Sequence, residues 1–572
     1  MRPLTRIVPL LAALVLAVTL LPNVTATAAE VYPGAMYREE YFPMGDALGT
    51  VLHADVLRSD ATSWTARQPV VLVVSPYTNH NGATTDVDLM GGDGPNNRFY
   101  DFLTLTGALD EGYTYVQVDL PGNGGSSGCN DWGGPVEQGA VKAAVEWSAR
   151  QPWSTGRVAL LGKSYDAWTG LMGMAQDPIG LAAVISMEPV FSGYRYLFND
   201  GVRFSNSVAT PALFQVIDAK PGALNDDPEY HVNGAPQAYC YGLNIALQQQ
   251  DSEDVAFWAA RDMVRRAAAS DVPLFLTQGF LETNTKPDAA LAFWNALDHS
   301  HGGNRAWFGQ FDHVRGWDRR AADGRAGDPL NLALRSETGR EDFAEQVLVF
   351  LDEHLKGITP AEDDVIETIA VQDNLGRYRE EQTYPAADTT MLATALTTGT
   401  YTDSPTGGSL WTVSQPMPHD VWLAGEPVVG VDVTTLLPRG NLVVNVYDHN
   451  PATGRSQLIH RGTTLLRRTG AQTVDVPLYA QDWVVAEGHR IVVQVVGNDG
   501  FWVHTPSLQT VTVRGAEIAL PFLTEDRTDF IEGGSTPRLE QHLGRSTAVP
   551  ATALATQTEF ALPGPIETGE RP

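Results

Sequence analysis

The sequence predicts an α/β domain built on a mostly parallel sheet, followed by an all-β domain. Three observations carry this reading. Between Tyr37 and about Lys356, runs of strand character alternate with helical stretches. After about Ala386 the helical pattern nearly vanishes, and alternating strands are separated by Gly, Pro and Asp turns. At 572 residues the chain is too long for a single hydrophobic core.

The elements follow in chain order. Arg2 and Arg6 precede an apolar run from Ile7 to Leu21, and Ala26-Thr27-Ala28-Ala29 then supplies small residues for cleavage. This is the pattern of a secretory signal peptide over residues 1–29, and it predicts a secreted, extracellular protein. The run is short of the roughly 20 apolar residues that a membrane span needs, so no membrane association is expected once it is removed. The α/β domain is expected over 30–385. Val51 to Leu57 reads as a strand, and Pro69 to Val74 is a continuous apolar run of the kind a strand buried on both faces requires. Tyr113 to Asp119 reads as a further strand, ending in the glycine-rich segment Pro121 to Gly128. An amphipathic helix is expected from Val136 to Ala149, then strands at Gly156–Leu161, Leu181–Ser186 and Val272–Thr277. Between about 189 and 271 aromatics are dense (Tyr194, Tyr196, Phe198, Phe204, Phe214), with helical stretches such as Glu253 to Ala269. An insertion of this size is expected to form a helical cap over the carboxyl end of the sheet. Strands such as Asn441–Tyr447 and Arg490–Val496 place a β-sandwich or jelly roll over 386–543. The tail, 544–572, is rich in Thr, Ala and Pro and is expected to fray.

Composition narrows the partners. Hydrophobic residues make up 43% and charged residues 19%, the values of a folded globular protein. A net charge of −30 repels nucleic acid and anionic lipid and removes both as partners. The two cysteines, Cys129 and Cys240, can pair in an oxidising compartment, or remain as two buried thiols. A bridge would close a loop of about 110 residues and stabilise by up to roughly 4–5 kcal/mol in the chain-entropy view. Oligomeric state is not legible in the sequence.

The most informative stretch is Leu161-Gly162-Lys163-Ser164-Tyr165-Asp166-Ala167-Trp168. It joins the strand before it to Thr169–Ala175, small and apolar residues suited to a helix packed close on a sheet. A serine at such a strand-turn-helix tip has its Oγ exposed and the next backbone N–H aimed at a bound carbonyl oxygen. The usual spelling is G-x-S-x-G, and Asp166 stands in the last glycine's place. A serine hydroxyl needs a base, and the base needs an orienting acid. In hydrolases on this kind of sheet the three follow the chain order serine, acid, histidine. Glu282 falls in the loop after the strand Val272–Thr277, and His313 in the loop after the next strand, Arg305–Gly309. Two donors should face the developing oxyanion, the Tyr165 N–H and the Tyr77 phenol from the loop after Pro69–Val74.

Several local patterns carry a family resemblance. They are Pro76-Tyr77, Gly122-x-Gly124-x-Ser126-x-Gly128, Gly162-Lys163-Ser164-Tyr165 and Gly279-x-x-Glu282-x-Asn284-x-Lys286-Pro287. Gly309-x-Phe311-x-His313, Asp352-x-x-Leu355-Lys356-Gly357 and Gly488-His489-Arg490-Ile491 complete the set. From about Tyr37 to Leu520 the chain resembles the Xaa-Pro dipeptidyl-peptidase and cocaine esterase family of serine α/β-hydrolases. The resemblance implies an α/β-hydrolase sheet with a helical cap, followed by a C-terminal jelly roll. Glu282 stands where the family usually has aspartate, Ala167 replaces a common glycine, and Pro121 replaces an arginine.

The resemblance, favouring its peptidase side, implies a serine hydrolase that releases Xaa-Pro dipeptides from peptide N-termini through Ser164, Glu282 and His313. An esterase or acylase acting on small esters or acylated amines would use the same three residues. Its partner is therefore a peptide or small acyl substrate. A dipeptidyl-peptidase also needs a carboxylate for the substrate ammonium, for which Glu188 and Asp166 are candidates, and a proline pocket that Tyr194 and Tyr196 could line. Phe501 and Trp502 fall in a loop that could reach the site. No HExxH or calcium-loop pattern is present, so neither metal nor organic cofactor is expected.

Overall fold

The computed structural model describes residues 31–80, 95–218, 228–234, 238–361 and 367–565. The expected signal peptide lies outside the described residues.

Ten strands form one mixed sheet: β1 (Ala35–Pro43), β2 (Val51–Ser59), β3 (Gln68–Ser75), β4 (Thr114–Asp119) and β5 (Ser154–Lys163), then β6 (Leu181–Met187), β7 (Leu274–Gly279), β8 (Arg305–Gly309), β9 (Ile369–Gln372) and β10 (Tyr378–Glu381). Their spatial order is β1-β2-β4-β3-β5-β6-β7-β8-β9-β10. The run from β4 to β9 is parallel, and antiparallel strands close each edge. Val70, Leu72 and Val74 of β3 enter the core on one face, while Val71 and Val73 enter it on the other. Burial on both sides is why this strand reads as an unbroken apolar run rather than an alternating one. Helices α1 (Pro135–Arg150) and α2 (Tyr165–Gln176) pack against the sheet and each other.

The insertion between β6 and β7 is helical, with helices at Gly193–Leu197, Thr210–Asp218, Pro228–Asn233, Ala238–Leu247, Ala256–Ala259 and Met263–Arg266. The single helix expected from Glu253 to Ala269 is two short ones. The break falls at Arg261, whose guanidinium donates to the carbonyls of Trp132, Asp131 and Phe257, tying the turn to the segment before α1.

Beyond β10 the chain is an antiparallel β region of two sheets. One holds Gly470–Pro477, Val428–Thr435, Thr510–Leu523, Val421–Gly425 and Gln481–Val485 in that order, with Thr389–Ala395 and Gly399–Thr402 also paired to Thr510–Leu523. The other runs Ser409–Val413, Arg490–Val496, Gly440–Asn450, Arg455–Leu466. Val431, Val433, Leu442, Val444 and Val493 fill the space between them. The tail does not fray as far as residue 565. It forms a helix at Ala551–Leu554, buries Phe560, and Thr558 N–H donates to Val413 O at 2.7 Å. One aromatic anchor and an edge strand in need of partners outweigh the segment's polar composition.

The domains meet through apolar packing and through buried polar contacts. Arg379 of β10 holds Asp482 through two hydrogen bonds, 2.8 and 2.6 Å, and Gln310 Nε2 donates to Gln481 Oε1 and Asp482 O, both at 2.9 Å. The Pro537–Leu543 helix returns to the α/β domain. There Thr536 Oγ1 donates to Gln310 O, and Arg538 pairs with Asp312 at 3.2 Å and donates to Leu281 O. Among the described residues no helix is long and apolar enough to cross a membrane.

Cys129 and Cys240 are bridged, with Cα atoms 5.9 Å apart. The bond joins the glycine-rich loop after β4 to the insertion. Cys240→Ser is expected to cost about 2–5 kcal/mol. Denaturant midpoints of the oxidised and reduced protein check this, since equal midpoints would show that the bridge contributes nothing.

Candidate active site

Ser164 links β5 to α2 with φ 69° and ψ −118°, a region that favours glycine. The turn is tight: a Cβ on Gly162 would lie 2.2 Å from the Asp166 carbonyl carbon, so only glycine lets the helix start this close to the strand. Ser164 N–H donates to Met187 O at 2.9 Å, tying the turn to β6, and the residue is half-buried rather than sealed in.

Glu282 follows β7 and His313 follows β8. These strands are parallel neighbours, with Gly279 opposite Gly309, so the two loops leave the sheet side by side. His313 Nδ1 lies 2.5 Å from Glu282 Oε2. The Asn284 N–H donates to the other oxygen, Oε1, and Thr285 Oγ1 donates to Oε2 at 3.2 Å. Burial pushes the Glu282 carboxyl up, but His313 beside it, the Asn284 amide and the charge of Lys163 together hold it below the usual carboxylate range. The group is therefore an ionised acceptor for Nδ1–H, which leaves Nε2 as the basic nitrogen. All three residues sit at the carboxyl ends of strands, with β6 alone between those of Ser164 and Glu282. Among the described residues no hydrogen bond joins Ser164 Oγ to the imidazole; such bonds commonly tighten only with substrate bound.

Tyr77 is in the loop after β3. Its N–H donates to Ser75 Oγ at 2.9 Å, and the Arg98 guanidinium lies 4.6 Å above its ring. Tyr165 is the first residue of α2, where backbone N–H groups have no acceptor within the helix. Its phenol donates to Glu137 Oε2 at 2.6 Å. Phe214 of the insertion packs on both rings, with centroids 4.9 Å from Tyr165 and 6.3 Å from Tyr77. The cap thus covers this side of the site.

The residues expected to receive the substrate ammonium have other partners. Glu188 is fully buried at φ 50°, and its carboxylate accepts from Gly279 N–H at 3.0 Å and Gln278 Nε2 at 2.9 Å. Burial and the charge of Glu282 push its carboxyl well above the ordinary range. Asp166 is also buried, and its oxygens accept from Ser75 Oγ and Arg98 Nε. Both carboxylates belong to the framework, because loop ends that carry so many N–H groups need acceptors. Tyr194 spends its hydroxyl on Asp251 O and Gly201 N–H. Tyr196 remains half-buried, and its hydroxyl donates to Asn284 Oδ1 at 3.0 Å in the acid loop. Phe501 and Trp502 do approach this region, through the insertion. Trp502 packs on Phe204 at 4.7 Å, and Asn206 Nδ2 donates to Thr283 O beside Glu282.

Sequence reasoning missed Thr285 and Arg98. Thr285 touches Glu282, lies 3.3 Å from His313 Nδ1, and donates to Glu188 O. Arg98 anchors Asp166, which through Ser75 connects the serine turn to the Tyr77 loop. Neither stands at a position that the quoted motifs specify.

Residues 48–315 match the family model of the X-Pro dipeptidyl-peptidases (S15 family), a span that contains Tyr77, Ser164, Glu282 and His313. Over this span the chain is similar to that family. Among S15 relatives, a Streptomyces avermitilis protein provisionally named an Xaa-Pro dipeptidyl-peptidase is 23% identical over 578 residues, 88% of this chain and 81% of its own. The Xaa-Pro dipeptidyl-peptidase of Lacticaseibacillus casei is 25% identical over 65% of this chain, and the match spans half of that protein's length. Among solved structures, a CocE/NonD family hydrolase from Staphylococcus aureus shares the fold with a TM-score of 0.63 at 14% identity, covering 88% of this chain and 99% of its own. The protein is therefore a hydrolase on an α/β-hydrolase sheet.

Proposed function

We propose that this chain is a secreted serine exopeptidase that releases Xaa-Pro dipeptides from peptide N-termini. The observation that carries it is the 2.5 Å contact of Glu282 with His313, across β6 from the strained Ser164 turn. Ser164 Oγ attacks the acyl carbon while His313 Nε2 takes its proton. Glu282 fixes the imidazole tautomer and stabilises the imidazolium. The Tyr77 phenol and the Tyr165 N–H stabilise the oxyanion. His313 then protonates the leaving amine, and water hydrolyses the acyl-enzyme. The names of the S15 relatives support the substrate class. The Cys129–Cys240 bridge supports an oxidising, extracellular setting.

One observation favours a second reading on the same three residues. Glu188 and Asp166 are both consumed by the framework, as a hydrolase of small esters or acylated amines, with no ammonium to bind, would allow. Turnover of a Xaa-Pro anilide, its N-acetylated counterpart and a short acyl ester separates the two. The peptidase reading expects the free-amine anilide to be preferred and acetylation to abolish its turnover. Preference for the ester, with the anilides inert, would replace it with the esterase reading.

A further inference from the structure

A second cluster of reactive side chains lies on β1, β2 and the loops beside them. β1 and β2 pair antiparallel with Glu39 opposite Asp55 and Tyr41 opposite His53, so the two-residue period of a strand puts Glu39, His53 and Asp55 on one face. His80, three residues beyond Tyr77, reaches the same point. His53 Nε2 is 3.0 Å from Glu39 Oε1 and 3.6 Å from Asp55 Oδ1, and His80 Nε2 is 3.0 Å from Asp55 Oδ2. The donor atoms of His53, Asp55 and His80 all lie within 4.8 Å of one another, and all three residues are buried. Bonds of about 2.0–2.1 Å from a zinc ion set tetrahedral ligand-to-ligand edges of roughly 3.3 Å, the range these separations bracket.

The surroundings fit a metal better than protons. Glu39, Asp55 and Asp119 bring three carboxylates, and among the described residues none of them hydrogen-bonds or ion-pairs with a lysine or arginine. Neutral hydroxyls do reach them, Tyr41 donating to Glu39 Oε1 at 2.7 Å and Tyr37 to Asp55 Oδ1 at 2.8 Å, but these bring no positive charge, which a divalent ion would supply. His53 Nε2 also faces two carboxylates, of which a single proton can satisfy one. Its other nitrogen, Nδ1, is 2.9 Å from Asp119 Oδ2, and Asp119 in turn accepts from Thr78 Oγ1 and the Gly125 N–H. A carboxylate behind a histidine, itself held in place, is the support that metal-bound imidazoles usually have.

We propose that His53, Asp55 and His80 form a binding site for a divalent metal ion of the zinc class, with solvent as fourth ligand. Two imidazole nitrogens and one carboxylate oxygen suit zinc and are too few oxygens for calcium. The sequence gives no hint of it: two of the ligands are two residues apart and the third is 25 further on, matching no metal motif. The ion would clamp β2 to the loop that carries Tyr77, outside the serine site.

The full chain, purified without chelators, is expected to retain about one zinc per molecule by elemental analysis. After stripping, Co2+ is expected to restore the visible ligand-field absorption of a four-coordinate site, saturating at one equivalent, and Zn2+ to raise the Tm. Asp55→Asn and His80→Gln are expected to abolish the absorption. Should either variant fail to fold, the wild-type titration decides alone. A protein produced in zinc-supplemented medium that holds no metal, shows no Co2+ absorption and no Zn2+-dependent Tm would overturn the site. It would leave His53 as a doubly hydrogen-bonded imidazolium. None of these readouts depends on the proposed peptidase activity.

Discussion

Ser164→Ala is expected to lower kcat by about 10^4–10^6-fold, the range seen when the nucleophile of a serine hydrolase is removed. KM should change little, because the hydroxyl contributes to the transition state rather than to ground-state binding. A fluorophosphonate should label the parent protein at Ser164, located by mass spectrometry, and leave the variant unlabelled. Near-normal turnover in the variant would end the assignment. The same position makes a prediction of opposite sign for stability. At φ 69° a side chain is strained, so Ser164→Gly should stabilise the fold by about 1 kcal/mol while removing activity. A gain in stability together with total loss of function is what a site under functional strain produces and an ordinary turn does not.

The second large effect is expected at Glu282. Its carboxylate accepts from His313 Nδ1, and the amide of Glu282→Gln would present an N–H there instead. The imidazole would then carry its proton on Nε2, the nitrogen proposed to accept from Ser164. A loss of about 10^3–10^4-fold in kcat is expected, with the fold intact, because the Asn284 N–H can still donate to the remaining oxygen. Glu282→Asp keeps the charge and should recover part of the loss. Parallel assays of both variants, with circular dichroism as the folding control, distinguish tautomer control from general destabilisation. A Glu282→Gln variant as active as the parent would remove this residue from the mechanism.

Much of this architecture was legible because it is written locally. The apolar runs at β3 and β5, the serine at a strand end and the loops carrying Glu282 and His313 all follow from short-range pattern plus the chain order that such a sheet imposes. The pairing of Cys129 with Cys240 was open between two outcomes, and the structure supplies the bridge. What could not be read is written across distance. Asp166 looked available for a ligand until Ser75 and Arg98, from two other segments, appeared as its partners. Glu188 likewise turned inward to meet Gly279, a contact that strand order permits but sequence does not announce. The polar face shared by Glu39, His53, Asp55 and His80 arises only when β1 pairs with β2 and the loop after β3 folds back.

The returning helix at Pro537–Leu543 has a consequence for biosynthesis. Thr536 grips the backbone at Gln310 and Arg538 grips both Asp312 and Leu281, so the loops on either side of the Glu282–His313 contact are fastened by residues far downstream in the chain. A nascent polypeptide halted before Thr536 would contain Ser164, Glu282 and His313, yet none of these ties. Its two loops would lack the anchors that the later helix supplies.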